Sequence, residues 1–199
     1  MTDFWVGTIS ALVLGYLLGS IPFGLLLTKF SGGGDIRSIG SGNIGATNVL
    51  RTGRKGLAAL TLLLDLLKGF FAVWLVQGYF VGSEAVAAAG AFFGHLYPVW
   101  LNFKGGKGVA TYAGIMFGLL WQGGVIYAVA WIGGLLIFRI SSVAGLLAAL
   151  VAPLAAVYFE RYDLVAMLVA CSLIIFWKHR VNIENLIKGT EPRIGKSKS

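Results

Sequence analysis

The chain has 199 residues, 57% of them hydrophobic and only 12% charged, with a formal net charge of +8 and a mean hydropathy of +0.83. A soluble domain of this length carries about a quarter of its residues charged and cannot bury so many apolar groups in one core. Composition therefore excludes a soluble globular enzyme. The placement of the cations, short clusters between apolar runs, excludes a nucleic-acid-binding surface. The single cysteine, Cys171, sits in an apolar run. It rules out a disulfide framework and reads as a small packed or lipid-facing side chain.

The N-terminal residues lack a basic region, so the first apolar stretch reads as a retained span rather than a cleaved leader. Crossing a bilayer takes about 20 apolar residues in a helix. Candidate segments are residues 4–30, 57–80, 85–101, 109–138, 141–159 and 163–178. Loop 31–56 carries Arg37, Arg51, Arg54 and Lys55, and loop 102–108 carries Lys104 and Lys107. The C-terminal tail carries Lys178, Arg180, Lys188, Arg193, Lys196 and Lys198. Short loops rich in Lys and Arg stay in the cytoplasm, so all three are expected there. An even number of crossings must then separate residue 108 from residue 178. Segment 109–138 therefore has to split, and Gln122-Gly123-Gly124 is where a split is expected. The expectation is an all-α polytopic membrane protein of seven transmembrane helices, N-terminus outside and C-terminus cytoplasmic, forming one domain over residues 1–199. The outer ends then hold Asp3, Glu84, Glu160, Arg161 and Asp163, mostly acidic. The 29 glycines fit closely packed helices.

This topology gathers the polar residues into three segments on one side, 40–56, 94–111 and 177–195. In the first, glycines alternate with Ser41, Asn43, Thr47 and Asn48, a pattern that offers backbone amides to an anion. A helix starting near Asn43 would add its N-terminal amides, and Arg51 adds a fork suited to phosphate. In the second, Gly105, Gly106 and Gly108 surround Lys107, with Lys104 close by. It is not a nucleotide-binding P-loop, because Leu101 stands where the first glycine belongs and Gly108 where the hydroxyl belongs. His95, at the inner end of a span, is equally a structural hydrogen-bonding group or a catalytic one. In the third, His179 and Asn182 share a face if the helix continues past the membrane. A solvated loop, a topogenic charge cluster and a lipid-binding tail are the plain alternatives for the three segments. Asp65 and Lys68, one turn apart inside the second span, read as an internal ion pair. No ligand set for a metal and no nucleotide signature is present in the sequence. The segments point to a phosphate-bearing, lipid-linked ligand handled by positioning and electrostatics.

The stretches GSGNIGATNVLR, GHLYPVWLNFKGGKGVAT and KHRVNIENLIKGTE, in this order, resemble the three motifs of the bacterial acyl-phosphate:glycerol-3-phosphate acyltransferases, the PlsY family. The resemblance covers nearly the whole chain. It implies transfer of a fatty acyl group from acyl phosphate to the 1-hydroxyl of sn-glycerol 3-phosphate, the first step of bacterial phospholipid synthesis. The products are lysophosphatidic acid and phosphate, and no cofactor is implied. It implies a multi-pass protein of the bacterial cytoplasmic membrane with its active site facing the cytoplasm. Docking to the enzyme that makes acyl phosphate is compatible with that place. It assigns Ser41, His179 and Asn182 to the reacting centre, Asn43 and Thr47 to the same pocket, and Arg51, Lys104, Gly105, Gly106, Lys107 and Gly108 to phosphate. Proton transfer then falls to the substrate's own phosphate. Glu184, five residues after His179, imitates the His-x-x-x-x-Asp of other acyltransferases. On a continuous helix it would point about 140° away. A transporter of a small phosphate-bearing anion is the competing class, but its site is expected near the bilayer midplane. A non-catalytic subunit binding anionic lipid would not need the amide-rich 40–51 segment.

Overall fold

A computed structural model describes residues 2–195, with side chains from Trp5 onward; Lys196, Lys198 and the side chain of Asp3 lie outside the described residues. The described residues are helical, with no strand. They form two compact units, Met1–Leu119 and Leu120–Ser199.

The first unit contains α1 (Thr2–Gly19), α2 (Phe23–Phe30), the short α3 (Ala46–Leu50), α4 (Lys55–Tyr79), α5 (Glu84–Leu96) and α6 (Val109–Leu119). Among lipid-solvated helices burial supplies no drive to associate, so close backbone approach at small residues has to hold them. The sequence provides it as two facing Gly-x-x-x-Gly stripes. A Cβ on Gly15 or Gly19 of α1 would fall on the carbonyls of Ala87 or Ala91, and one on Gly90 or Gly94 of α5 would fall on those of Leu12 or Tyr16. The α4–α6 contact repeats the device, with Gly69 against the Thr111 carbonyl and Gly114 against that of Leu66. Between α1 and α2 the chain breaks at residues 20–22. Pro22 has no N–H to give to a continuing helix.

The second unit contains α7 (Trp121–Phe138), α8 (Ser141–Tyr158), α9 (Tyr162–Lys178) and α10 (Arg180–Ile187). A buried alanine stripe on α8, including Ala144, Ala148 and Ala152, lets its neighbours approach, with Gly134 of α7 against Ala144. Ser172 of α9 donates its hydroxyl across to the Ala149 carbonyl at 2.7 Å. Outward-facing Leu136 and Ile137 are each 75% exposed, as a lipid-facing surface requires.

Length and composition qualify four stretches to cross a membrane: Trp5–Phe30, Lys55–Tyr79, Trp121–Phe138 and Ser141–Tyr158. The pair α9 and α10, bent by 58°, makes a fifth. The remaining two expected spans are shorter than a full crossing, α5 with 13 residues and α6 with 11. Helix α5 ends at Leu96 rather than near residue 101, because Pro98 prevents its continuation. Segment 109–138 does divide into two helices. The division falls at Leu120 (φ −154°, ψ 89°), and Gln122-Gly123-Gly124 lie in the first turn of α7.

Candidate active site

In the first segment, Asn48 organises the chain. Its buried amide nitrogen donates to the carbonyls of Ile36 (2.9 Å), Ile39 (2.9 Å) and Asn43 (2.8 Å), and its oxygen accepts from Ser41 N–H at 3.2 Å. Two N–H bonds serve three carbonyls, so one is shared. Asn43 turns the chain locally by accepting from Gly45 N–H at 2.9 Å. Helix α3 starts at Ala46, later than Asn43, and has only five residues; neither Ser41 nor Asn43 caps it. Thr47 lies in its first turn. Gly40, at φ +58°, is obligatory: a Cβ there would collide with the Asn48 oxygen and lie 3.0 Å from Arg51 Cδ.

The cations of this segment divide by partner. Arg37 forks onto Asp35, with Nη2 at 2.6 Å from Oδ2, and these bonds hold the Asp35 carboxyl down at about 2. Arg54 donates to the Ser31 carbonyl at 2.8 Å and its hydroxyl at 2.7 Å. Arg51, exposed at the end of α3, makes no ion pair among the described residues. Ser41 is also exposed.

The second segment folds back onto the end of α5. Tyr16 of α1 anchors the turn, its hydroxyl donating to the Tyr97 carbonyl at 2.9 Å and accepting from Val99 N–H at 3.0 Å. Trp100 Nε1 donates to the Ser20 carbonyl at 2.7 Å. Asn102 and Phe103 adopt left-handed backbone, which reverses the chain. Gly105 N–H then donates to the Leu96 carbonyl (3.1 Å) and Gly106 N–H to the His95 carbonyl (3.0 Å), serving carbonyls that the end of α5 leaves open. These two amides are engaged inside the protein. The glycines are needed for contact: a Cβ on Gly105 would meet the His95 and Leu96 carbonyls, one on Gly106 the His95 imidazole, and one on Gly108 (φ +90°) the Phe92 ring at 2.6 Å. Lys104 is exposed and Lys107 half-buried, two residues before α6 begins.

Beneath this loop, Asp65 and Lys68 pair at 2.7 Å, as the sequence led us to expect. His95 Nδ1 lies 3.7 Å from Asp65 Oδ1, an association not foreseen from sequence.

In the third segment, His179 stands at the break between α9 and α10, so the continuous helix assumed for it and Asn182 does not exist. His179 is buried, and its Nδ1 lies 2.8 Å from the Ile175 carbonyl. A carbonyl only accepts, so Nδ1 carries the proton. Glu184 is exposed while His179 is buried, which removes the superficial His–acid pairing. The acid that matters is Glu191. Its Oε1 accepts from Asn182 Nδ2 (2.6 Å) and from Ser142 Oγ (2.7 Å), and its Oε2 from Asn185 Nδ2 (3.3 Å). The tail is held further by Ile194 N–H on the Arg139 carbonyl at 2.7 Å. Glu191 and Asn48 both lie within the quoted motifs, but nothing in their spacing announces a supporting role. Cys171 is buried and free.

Residues 9–189 match the family model described as glycerol-3-phosphate acyltransferase. A glycerol-3-phosphate acyltransferase of Mesorhizobium japonicum is 60% identical over 190 residues, covering 95% of this chain and 97% of that one. One from Erythrobacter litoralis is 60% identical over 185 residues, covering 93% and 94%. Among solved structures, the chain is similar to the glycerol 3-phosphate form of PlsY, an integral membrane glycerol 3-phosphate acyltransferase. The TM-score is 0.89 at 35% identity, with 94% of this chain and 96% of that one covered. The lysophosphatidic acid form of PlsY gives a TM-score of 0.86 at 34% identity, with 94% and 95% covered.

Proposed function

Since the chain belongs to the glycerol-3-phosphate acyltransferase family, we propose that it moves a fatty acyl group from acyl phosphate to the 1-hydroxyl of sn-glycerol 3-phosphate. The products are lysophosphatidic acid and inorganic phosphate. The glycerol oxygen forms the new ester bond to the acyl carbon, the acyl carbon–oxygen bond to phosphate breaks, and the hydroxyl proton leaves on phosphate. Phosphate is a good leaving group, so the protein needs cations and orientation more than a strong base.

Arg51 is the observation that carries this reading. Arg37 and Arg54 are engaged by Asp35 and Ser31, whereas Arg51 extends from a segment fixed by Asn48 and meets no carboxylate among the described residues. A guanidinium held ready in this way suits a phosphate. Lys107, with Lys104, Gly105, Gly106 and Gly108, serves phosphate in the same role. With two amides of that loop engaged, its lysines supply most of the attraction. Ser41, Asn43 and Thr47 line the reacting centre. His179, held through Nδ1, and Asn182, held through Glu191, orient the attacking hydroxyl.

On this reading the chain is one acyltransferase domain that crosses the bacterial inner membrane seven times. The N-terminus lies outside, and the C-terminus and active site face the cytoplasm. The cationic loops support that orientation. Acyl phosphate arrives from the enzyme that makes it. The test is the purified protein with sn-glycerol 3-phosphate and either palmitoyl phosphate or palmitoyl-CoA. Lysophosphatidic acid and phosphate from the first donor alone are expected. Product from the CoA donor alone would overturn the donor assignment, and product from neither would turn attention to transport.

A further inference from the structure

Lys68 and Asp65 are 4% and 3% exposed, inside a helix that has the length and composition of a membrane span. Replacing such a pair by apolar groups is often neutral or stabilising, so its presence calls for more than stability. Both ends of the pair reach other elements. Lys68 Nζ donates to the Ile21 carbonyl, in the break between α1 and α2, at 2.8 Å, and lies 5.7 Å from the centre of the Phe23 ring. Asp65 Oδ1 lies 3.7 Å from His95 Nδ1. His95 in turn meets the lysine loop twice. Its carbonyl accepts from Gly106 N–H at 3.0 Å, and its ring fills the space where any Cβ on residue 106 would stand. One continuous line of contacts therefore runs from Ile21 through Lys68, Asp65 and His95 to Gly106, and the next residue is Lys107.

We infer that Asp65 and His95 are positioning residues that set where the 104–108 loop, and with it Lys107, sits against a substrate phosphate. The inference rests on the reading of Lys107 as a phosphate ligand. Asp65 orients the imidazole, and the imidazole and its carbonyl fix the height of Gly106 above the end of α5. Neither residue touches the reacting atoms. Their loss loosens the loop and weakens phosphate binding, leaving the transfer step itself little changed. The buried pair thus serves specificity for the phosphate-bearing group rather than turnover.

The test uses the full-length protein and steady-state kinetics in both substrates. His95→Phe keeps a ring against Gly106 but cannot interact with Asp65. Asp65→Asn keeps His95 but removes the charge beside its ring. Both should raise KM for the same phosphate substrate by about tenfold, the loss of roughly one good polar contact, with kcat within about threefold. His95→Gln, which retains a polar group towards Asp65, should recover part of the affinity. Asp65→Asn combined with His95→Phe should be no worse than His95→Phe alone, because the two act in series. Calorimetric titration of each variant with glycerol 3-phosphate, and with inorganic phosphate, gives the same comparison without turnover. Unchanged KM values, or a fall in kcat alone, would overturn the inference while wild-type turnover keeps the functional reading intact. A wild-type protein inactive with palmitoyl phosphate would instead sink the functional reading. If His95→Phe does not fold, Asp65→Asn and His95→Gln, each expected to raise that KM, decide.

Discussion

Asn182 donates to Glu191 at 2.6 Å, and the same carboxylate oxygen takes the Ser142 hydroxyl at 2.7 Å. One acid thereby ties α10, the start of α8 and the tail. Only a carboxylate accepts at both oxygens; an amide presents N–H on one side. Glu191→Gln therefore sets an amide against Asn185 or against the Asn182–Ser142 pair. A hydrogen bond to a charged group contributes about 1.5–3 kcal/mol, so one bond's worth of stability should be lost. Activity should fall further than stability, because Asn182 loses its orientation. Melting temperature and turnover measured on one preparation check this, and an active Glu191→Gln protein would remove Asn182's dependence on Glu191.

The Asp35–Arg37 pair makes a pH prediction. The Arg37 side-chain and backbone hydrogen bonds lower the Asp35 carboxyl from 3.8 to about 2. A lowered folded-state value means that its stabilisation is present above 3.8 and disappears as pH falls towards 2. Both side chains are nearly half exposed, 46% and 43%, so screening limits the effect to at most about 1 kcal/mol. Asp35→Asn keeps an acceptor for Arg37 N–H but removes the charge. Its stability deficit at neutral pH should vanish between pH 4 and 2 and shrink with added salt. A deficit constant across that range would show that the charge contributes nothing.

Much of this organisation is legible in the residues, for identifiable reasons. Apolar length is a local property, so the membrane class follows from it, and the division of 109–138 follows from the even number of crossings that the cationic loops on either side demand. The internal pairing of Asp65 with Lys68 follows because two charges one turn apart in lipid have few other partners. What is not legible depends on where a turn ends. The helix-start expected near Asn43 fails because the Asn43 side chain closes a turn onto Gly45 instead. The shared face of His179 and Asn182 fails because the helix bends by 58° at His179. Gly105 and Gly106 look like pure anion binders in sequence, and only the fold reveals the α5 end that takes their amides. Glu184 stood at a suggestive spacing, whereas Glu191, reached only through a turn, holds Asn182.

The glycine stripes separate packing from helix propensity. At Gly19 an added Cβ would strike the Ala91 backbone, which cannot swing aside. Gly19→Ala should force α1 away from α5 and destabilise by about 1–3 kcal/mol. Gly133, within α7, has no atom within 4 Å of an added Cβ. Gly133→Ala should be neutral or stabilising by up to about 1 kcal/mol, through helix propensity alone. Unfolding in a single detergent compares the two. Equal effects would mean that the α1–α5 contact tolerates a wider spacing.

Arg51 gives the sharpest prediction about chemistry. Its exposure and lack of an ion pair among the described residues leave folding little dependent on it, so Arg51→Ala should change stability by no more than about 0.5 kcal/mol. Turnover should nevertheless fall by orders of magnitude, because phosphate loses its bidentate partner. Arg51→Lys separates charge from geometry. A lysine restores a point charge but not the planar fork. If charge alone matters, the lysine variant should recover most of the activity. If the fork matters, as the rigid Asn48-held segment beneath it suggests, recovery should stay below about a tenth, the equivalent of one charge-assisted bond. Near-normal turnover in Arg51→Ala would remove Arg51 from the site and leave Lys107 as the first candidate for holding phosphate.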